Sequence, residues 1–159
     1  MREGIPMVAW RLSVESANPR ERFIRHRNFE ARLDNISGHQ AEKDGTFAVV
    51  PGLANGNLFS FQSFNVDNHY LRHHNFRMKL GRHVPGDRVF EEDATFYLSP
   101  SLAFVDGLLM YTFSFRSFNN PDRYVRHRNF EIWLDRFEDS PQFRSDAAFI
   151  LRRALFTAI

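Results

Sequence analysis

The chain has no cysteine among its 159 residues. Disulfides and thiolate metal sites are therefore excluded, and the redox compartment cannot be read. Long apolar runs are missing too. No stretch approaches the roughly 20 residues that span a bilayer, so no membrane partner is expected. Residues Met1 to Trp10 lack the charged start, apolar run and cleavage pattern of a signal peptide, and none is read there. Lysine is nearly absent: 19 of the 21 basic residues are Arg. Runs of one charge sign are absent as well, because 19 acidic residues are interspersed with the bases and the net charge is only +2. That pattern argues for Arg in structural pairs and against a nucleic-acid partner.

What is abundant is phenylalanine, with 18 copies against 4 Tyr and 2 Trp. A Phe ring makes no conventional hydrogen bond, so most copies are expected in a core. Self-comparison shows three copies of a unit of roughly fifty residues. The copies carry Arg25-His26-Arg27-Asn28-Phe29, Arg72-His73-His74-Asn75-Phe76 and Arg126-His127-Arg128-Asn129-Phe130. Ahead of these motifs stand Phe23-Ile24, Tyr70-Leu71 and Tyr124-Val125. Further upstream, Ser60-Phe61-Gln62-Ser63-Phe64-Asn65 matches Ser114-Phe115-Arg116-Ser117-Phe118-Asn119. The first copy departs most there, with Trp10 to Val14, and is read with two extra residues before His26. Downstream, Asp44, Asp93 and Asp146 each precede a strand-like run ending in Phe47, Phe96 and Phe149.

Within each copy the apolar period is two. Met78 and Leu80 alternate with Arg77 and Lys79, and the other copies do likewise, which predicts half-buried strands. Extended backwards, the alternation puts Phe29, Phe76 and Phe130 on the core face. About four strands per copy give about twelve in all. The stretches 36–43, 81–92 and 136–145 read as surface loops, no window reads as an amphipathic helix, and residues 146–159 are expected to hold the last strand. Three four-stranded units closed around a pseudo-three-fold axis leave no open ends. The expected fold is therefore an all-β β-trefoil in a single domain, with repeats at about 8–56, 57–109 and 110–159.

The repeated His and Asp admit two readings. Each His shares a strand face with Ile24, Leu71 or Val125 and can be structural, bonded to an Asp in the next strand. Each Asp can simply open a turn. Alternatively they bind sugar hydroxyls: an ionised carboxylate accepts from two vicinal hydroxyls, and a neutral imidazole donates from one nitrogen and accepts at the other. Asn28, Asn75 and Asn129 read as turn residues that tolerate left-handed backbone. Pseudosymmetry places equivalent residues on separate rims. That disfavours a three-His metal site, and it disfavours the facing carboxylates of a glycosidase.

At these motifs the sequence resembles the arabinose-binding domain of type-B α-L-arabinofuranosidases, carbohydrate-binding module family 42. The carrying residues are Tyr70 to Phe76 with Asp93-Ala94-Thr95-Phe96, the third copy's Tyr124 to Phe130 with Asp146, and Pro51-Gly52-Leu53-Ala54 leading into Phe59-Ser60-Phe61. The resemblance covers about residues 8–155. It implies a β-trefoil that binds L-arabinofuranose side chains of arabinoxylan or arabinan. It pairs His26 with Asp44, His73 with Asp93 and His127 with Asp146. The pockets are completed by the residue after each His (Arg27, His74 and Arg128, where the family often has Tyr) and by the backbone near Phe29, Phe76 and Phe130. No cofactor and no catalysis by this chain are implied. The expected state is a monomer that accompanies a glycoside hydrolase domain in a parent protein and is extracellular by resemblance. The alternative is a protein-interaction scaffold with degenerate sugar pockets.

Overall fold

The structure, a computed structural model, describes residues 10–105 and 111–157. Four strands and one short helix recur three times. The first copy holds β1 (Arg11–Ser16), β2 (Phe23–Arg27), β3 (Glu30–Asp34), α1 (His39–Asp44) and β4 (Phe47–Pro51). The second holds β5 (Phe59–Ser63), β6 (His69–His74), β7 (Arg77–Arg82), α2 (Arg88–Asp93) and β8 (Phe96–Pro100). The third holds β9 (Thr112–Ser117), β10 (Arg123–Arg128), β11 (Glu131–Arg136), α3 (Pro141–Asp146) and β12 (Phe149–Arg153). The final strand lies inside 146–159, as the repeat register predicts.

Every pairing is antiparallel. Strands β1, β4, β5, β8, β9 and β12 close into a ring, because β12 returns to β1 over Leu12↔Arg153 to Ser16↔Phe149. The remaining strands form three hairpins, which meet one another through β3–β7, β7–β11 and β11–β3. This ring capped by a hairpin triplet is a β-trefoil. Closure removes the unpaired edges that an open sheet would expose.

Hydrogen bonds at the hairpin tips close a second cycle. Leu80 N donates to Phe29 O, Leu134 N to Phe76 O and Leu33 N to Phe130 O, at 2.8–2.9 Å. Each copy thus holds the next, and the third holds the first.

The core follows the same order. Its fifteen central residues are five positions taken three times. They are Val14, Phe61 and Phe115; Ile24, Leu71 and Val125; Ala31, Met78 and Ile132; Leu33, Leu80 and Leu134; and Phe47, Phe96 and Phe149. Phe115 packs edge-to-face on Phe61 and stacks on Phe149, with centroids 5.2 and 5.4 Å apart. The first copy contributes the small members Val14 and Ala31, and both line a small central cavity of about 20 Å³.

Two expectations change here. The three linkers read as loops each hold all but the last residue of a six-residue helix. Asp87 and Ser140 cap α2 and α3, their side chains accepting from Phe90 N and Phe143 N. The buried apolar residue of each helix is one side chain, Ala41, Phe90 or Phe143, too little to write a helical period. Nor does the first copy carry two extra residues. Ser13, Ser60 and Ser114 are equivalent: their buried hydroxyls donate to Gly45 O, Ala94 O and Ala147 O at 2.6–2.7 Å. Each lies thirteen residues ahead of its His.

Candidate functional site

Each hairpin turns through two residues. Arg27 pairs with Glu30, His74 with Arg77 and Arg128 with Glu131, so Asn-Phe forms each loop. Both loop residues have positive φ: 53° and 63° at Asn28 and Phe29, 53° and 61° at Asn75 and Phe76, 54° and 59° at Asn129 and Phe130. This is the twist that a tight hairpin needs, and Asn tolerates it, as read from the sequence. Phe does not; in the left-handed region it costs on the order of 1 kcal/mol or more. The three Phe were expected in the core and are instead exposed by 55%, 37% and 45%. The alternation stops where the strands begin, at Glu30, Arg77 and Glu131, and each Phe belongs to the turn just before.

Just before each turn, the strand places an Arg and then a buried His. His26, His73 and His127 are 6–8% exposed, while the next residues, Arg27, His74 and Arg128, point outward. The short helix brings Asp44, Asp93 and Asp146 alongside, as its last residue. His Nε2 lies 3.6, 3.4 and 3.7 Å from Asp Oδ1 in the three copies. The structure therefore brings together each pair expected from the sequence, at the distance of neighbours and without the direct His–Asp hydrogen bond of the structural reading. The Asp closes a helix and does not open a turn.

Two further residue types complete the sites. The Arg before each His clamps the carboxylate: Arg25, Arg72 and Arg126 donate to Oδ2 of Asp44, Asp93 and Asp146 at 2.7, 2.8 and 2.6 Å. The same guanidinium donates through Nε to the carbonyl of the following His at 2.9–3.0 Å. Strand and helix are thereby tied at the site. Arg25 and Arg126 also reach Asp34 and Asp135. The second copy has Gly81 at that position, where a Cβ would stand 2.9 Å from the Phe90 ring; Arg72 lies over that ring, as Arg126 lies over Phe143.

The other addition comes from the next copy. Asn65 Oδ1 accepts from His26 Nε2 at 2.9 Å while Asn65 Nδ2 donates to Asp44 Oδ1 at 2.8 Å. Asn119 does the same for His73 and Asp93, at 2.9 and 2.8 Å. His ring and Asp oxygen are thus bridged by one amide, which leaves the imidazole donating through Nε2. Copy three closes onto copy one differently. His127 Nε2 donates to the Asn18 carbonyl at 2.6 Å, and the Asn18 amide turns to Ser145. Asn65 and Asn119 had been visible as repeated residues, but each serves the preceding copy, so within-copy comparison could not assign them.

The three carboxylates are not equally occupied. Asp44 Oδ1 accepts from Asn65 and from Gln40. Asp93 Oδ1 accepts from Asn119 alone, with Val89 standing where Gln40 stands in copy one. Asp146 Oδ1 accepts from Gln142. A carboxylate has about four lone-pair positions, so Asp93 and Asp146 retain more acceptor capacity than Asp44. The third site opens as a cleft lined by Asn18, Pro19, His127, Arg128, Phe130 and Asp146, among others.

Ionisation agrees with this geometry. Burial pushes the Asp44 carboxyl up, but the Asn65 and Arg25 hydrogen bonds, His26 and Gln40 outweigh it and hold it below its ordinary value. Burial lowers His127; Asp146 and the Asn18 carbonyl oppose this and Arg126 adds to it, leaving His127 below its ordinary value. A depressed His contributes stability above its unfolded value of about 6.5, and that contribution is lost as pH falls through the folded value. The melting temperature should therefore drop as the pH falls below about 6.5, and His127→Gln should flatten that decline. Superimposable pH profiles for parent and variant would exclude the contribution. Among the described residues, no group of three or more His, Asp or Glu could hold a metal ion.

The chain is similar to known proteins. The α-L-arabinofuranosidase B (ABFB) domain model matches residues 12–151. An arabinofuranosidase/β-xylosidase of Trichoderma koningii is 30% identical over 139 residues, which cover 82% of this chain and 26% of the relative. An α-L-arabinofuranosidase B of Aspergillus niger is 34% identical over 88 residues, covering 54% of this chain and 17% of the relative. The chain thus spans about a quarter or less of these relatives. Among solved structures, an arabinofuranosidase complexed with arabinofuranosyl-α-1,2-xylobiose superposes with a TM-score of 0.79 at 28% identity, over 91% of this chain and 31% of that one. A β-trefoil crystal structure, BEL, matches 94% of this chain and 97% of its own length at a TM-score of 0.65 and 14% identity, a likeness of fold alone. With the family model covering nearly all the described residues, and the fold and repeated motif agreeing, this chain belongs to the α-L-arabinofuranosidase B (ABFB) domain family.

Proposed function

We propose that the chain is a carbohydrate-binding module that takes L-arabinofuranose side chains of arabinoxylan or arabinan, and that it performs no catalysis itself. The observation that carries this reading is the Arg-clamped Asp beside an amide-fixed His, built three times. Arg72 and Asn119 fix the orientation of Asp93 and still leave it oxygen lone pairs for two vicinal hydroxyls. A fixed carboxylate binds without first losing rotamer freedom. The related structure that holds an arabinofuranosyl-xylobiose supports the choice of sugar.

Catalysis is disfavoured by the carboxylate count at the second site. Glycoside hydrolysis uses two carboxyl groups facing one bond, about 5–9 Å apart. The His73 site has Asp93, and Gly81 takes the place of the second acid found in the other copies. In the parent protein, catalysis would belong to a companion glycoside hydrolase domain. Each pocket is small, so binding by one is weak, and several pockets engaging one branched polymer raise retention through avidity.

The test is retention of the domain on immobilised arabinoxylan compared with unbranched xylan. Stronger retention on the branched polymer is expected, and free arabinose should elute it. Equal retention on both would remove the arabinose reading.

A further inference from the structure

The rims of the three sites share a property that a neutral sugar does not require. Each rim carries two basic residues, one from its own copy and one from the next. The residue after the pocket His supplies the first: Arg27, His74 and Arg128, all exposed. The second lies against the exposed tip Phe and belongs to the following copy. His69 meets Phe29 with centroids 5.7 Å apart. The Arg123 guanidinium sits 3.6 Å from the Phe76 ring centroid, and Arg22 sits 4.3 Å from that of Phe130.

These positions border the sites directly. Phe130 and Arg128 line the same cleft as His127 and Asp146. Phe76 stacks on the pocket His73, with centroids 6.3 Å apart and planes inclined by 20°. Among the described residues, Arg128 alone of the six is paired with a carboxylate, Asp135, at 2.9 Å. Among them the Arg27 side chain makes no hydrogen bond or ion pair, and the Arg22 guanidinium lies over the Phe130 ring without a carboxylate partner. Four of the six are Arg, charged at any working pH. A guanidinium presents a planar fork of five donors that matches a carboxylate; Arg123 gives one of them to the Leu134 carbonyl at 3.2 Å and retains the others.

We infer that the ligand is an anionic form of the glycan, an arabinose-branched polysaccharide that also carries uronate carboxylates, with the branch in the pocket and the uronate on the Arg rim. The inference rests on the arabinose reading above. It also separates this chain from a module for purely neutral arabinan, for which six basic rim positions would have no function in binding.

The test uses the intact chain and three polymers: glucuronoarabinoxylan, the same polymer after chemical reduction of its carboxyl groups, and polygalacturonate, which lacks arabinose. At low salt the acidic polymer should bind about five- to tenfold more tightly than its reduced form, the effect of one or two exposed ion pairs. The ratio should approach one near 1 M salt, where charges are screened within ~3 Å. The double variant R22Q/R27Q should lower the ratio at low salt. Arg27→Gln removes no hydrogen bond or ion pair among the described residues, so this single variant keeps the measurement interpretable if the double variant loses stability. Equal binding of the acidic and reduced polymers at low salt would overturn the inference and leave the arabinose reading standing. A ratio unchanged in the variants would overturn the assignment to the rim. Polygalacturonate binding as tightly as the branched polymer would overturn both, because the surface would then be a general polyanion binder.

Discussion

Retention on arabinoxylan should fall by tenfold or more when Asp93→Asn and Asp146→Asn are combined. Asp44→Asn alone should have the smallest effect of the three. The reason is the differing occupancy of the carboxylates. Asp93 and Asp146 each accept from two side-chain donors, and Asp44 from three. A hydrogen bond to an ionised acceptor contributes about 1.5–3 kcal/mol, roughly ten- to a hundredfold in affinity. Asn is preferred to Ala because each Asp also anchors an Arg. Truncation at position 93 would strand the Arg72 guanidinium, whose side chain is only 19% exposed. Binding and folding would then be lost together. Circular dichroism and urea unfolding check the fold, and affinity electrophoresis reads the binding. Unchanged retention with an intact fold would show that the pockets lie elsewhere.

The largest loss of stability is expected from Phe149→Ala, at about 3–5 kcal/mol. Phe149 is fully buried, stacks on Phe115, and begins the strand that closes the ring against both β9 and β1. Its equivalents Phe47 and Phe96 occupy the same layer, so each should cost a similar amount. Since domains of this size are stable by about 5–15 kcal/mol, one such substitution removes a large share. Urea unfolding monitored by fluorescence gives the midpoint shift. A loss under about 1 kcal/mol would mean that the neighbouring core, including the small cavity beside Val14 and Ala31, had collapsed into the gap.

The fold was legible because its information is periodic. Met78 and Leu80 alternate over one hairpin, the other copies repeat the pattern, and three such units close without ends. The helices were hidden because each buries a single apolar side chain, although Ser140 before Pro141 is a capping signal at the start of α3. The tip Phe residues are hard to place from sequence because Asn-Phe occupies a turn that ordinarily selects Asn-Gly, and an apolar residue there continues the strand's alternation. At the site, the His and Asp were legible as repeated polar residues. Their pairing was supplied by family resemblance, and the geometry agrees with it. Arg25, Arg72 and Arg126 stood inside the motif but read as ordinary strand residues, since nothing local shows that a guanidinium will reach a helix about twenty positions later. Asn65 and Asn119 act across the boundary between copies, which no comparison within a copy reveals.

That crossing has an arithmetic consequence. A site made of His, Arg and Asp from one unit and a bridging group from the next belongs to a junction, so sites are counted by junctions. In an open row, three units have two junctions; bent into a ring, they have three. The third pocket, where the Asn18 carbonyl meets His127 across 109 positions of sequence, exists only because the ring is shut. Its valence therefore reports circularity. A two-unit fragment would hold one complete junction at most. A single unit would hold none, until three separate copies came together head to tail and recreated all three.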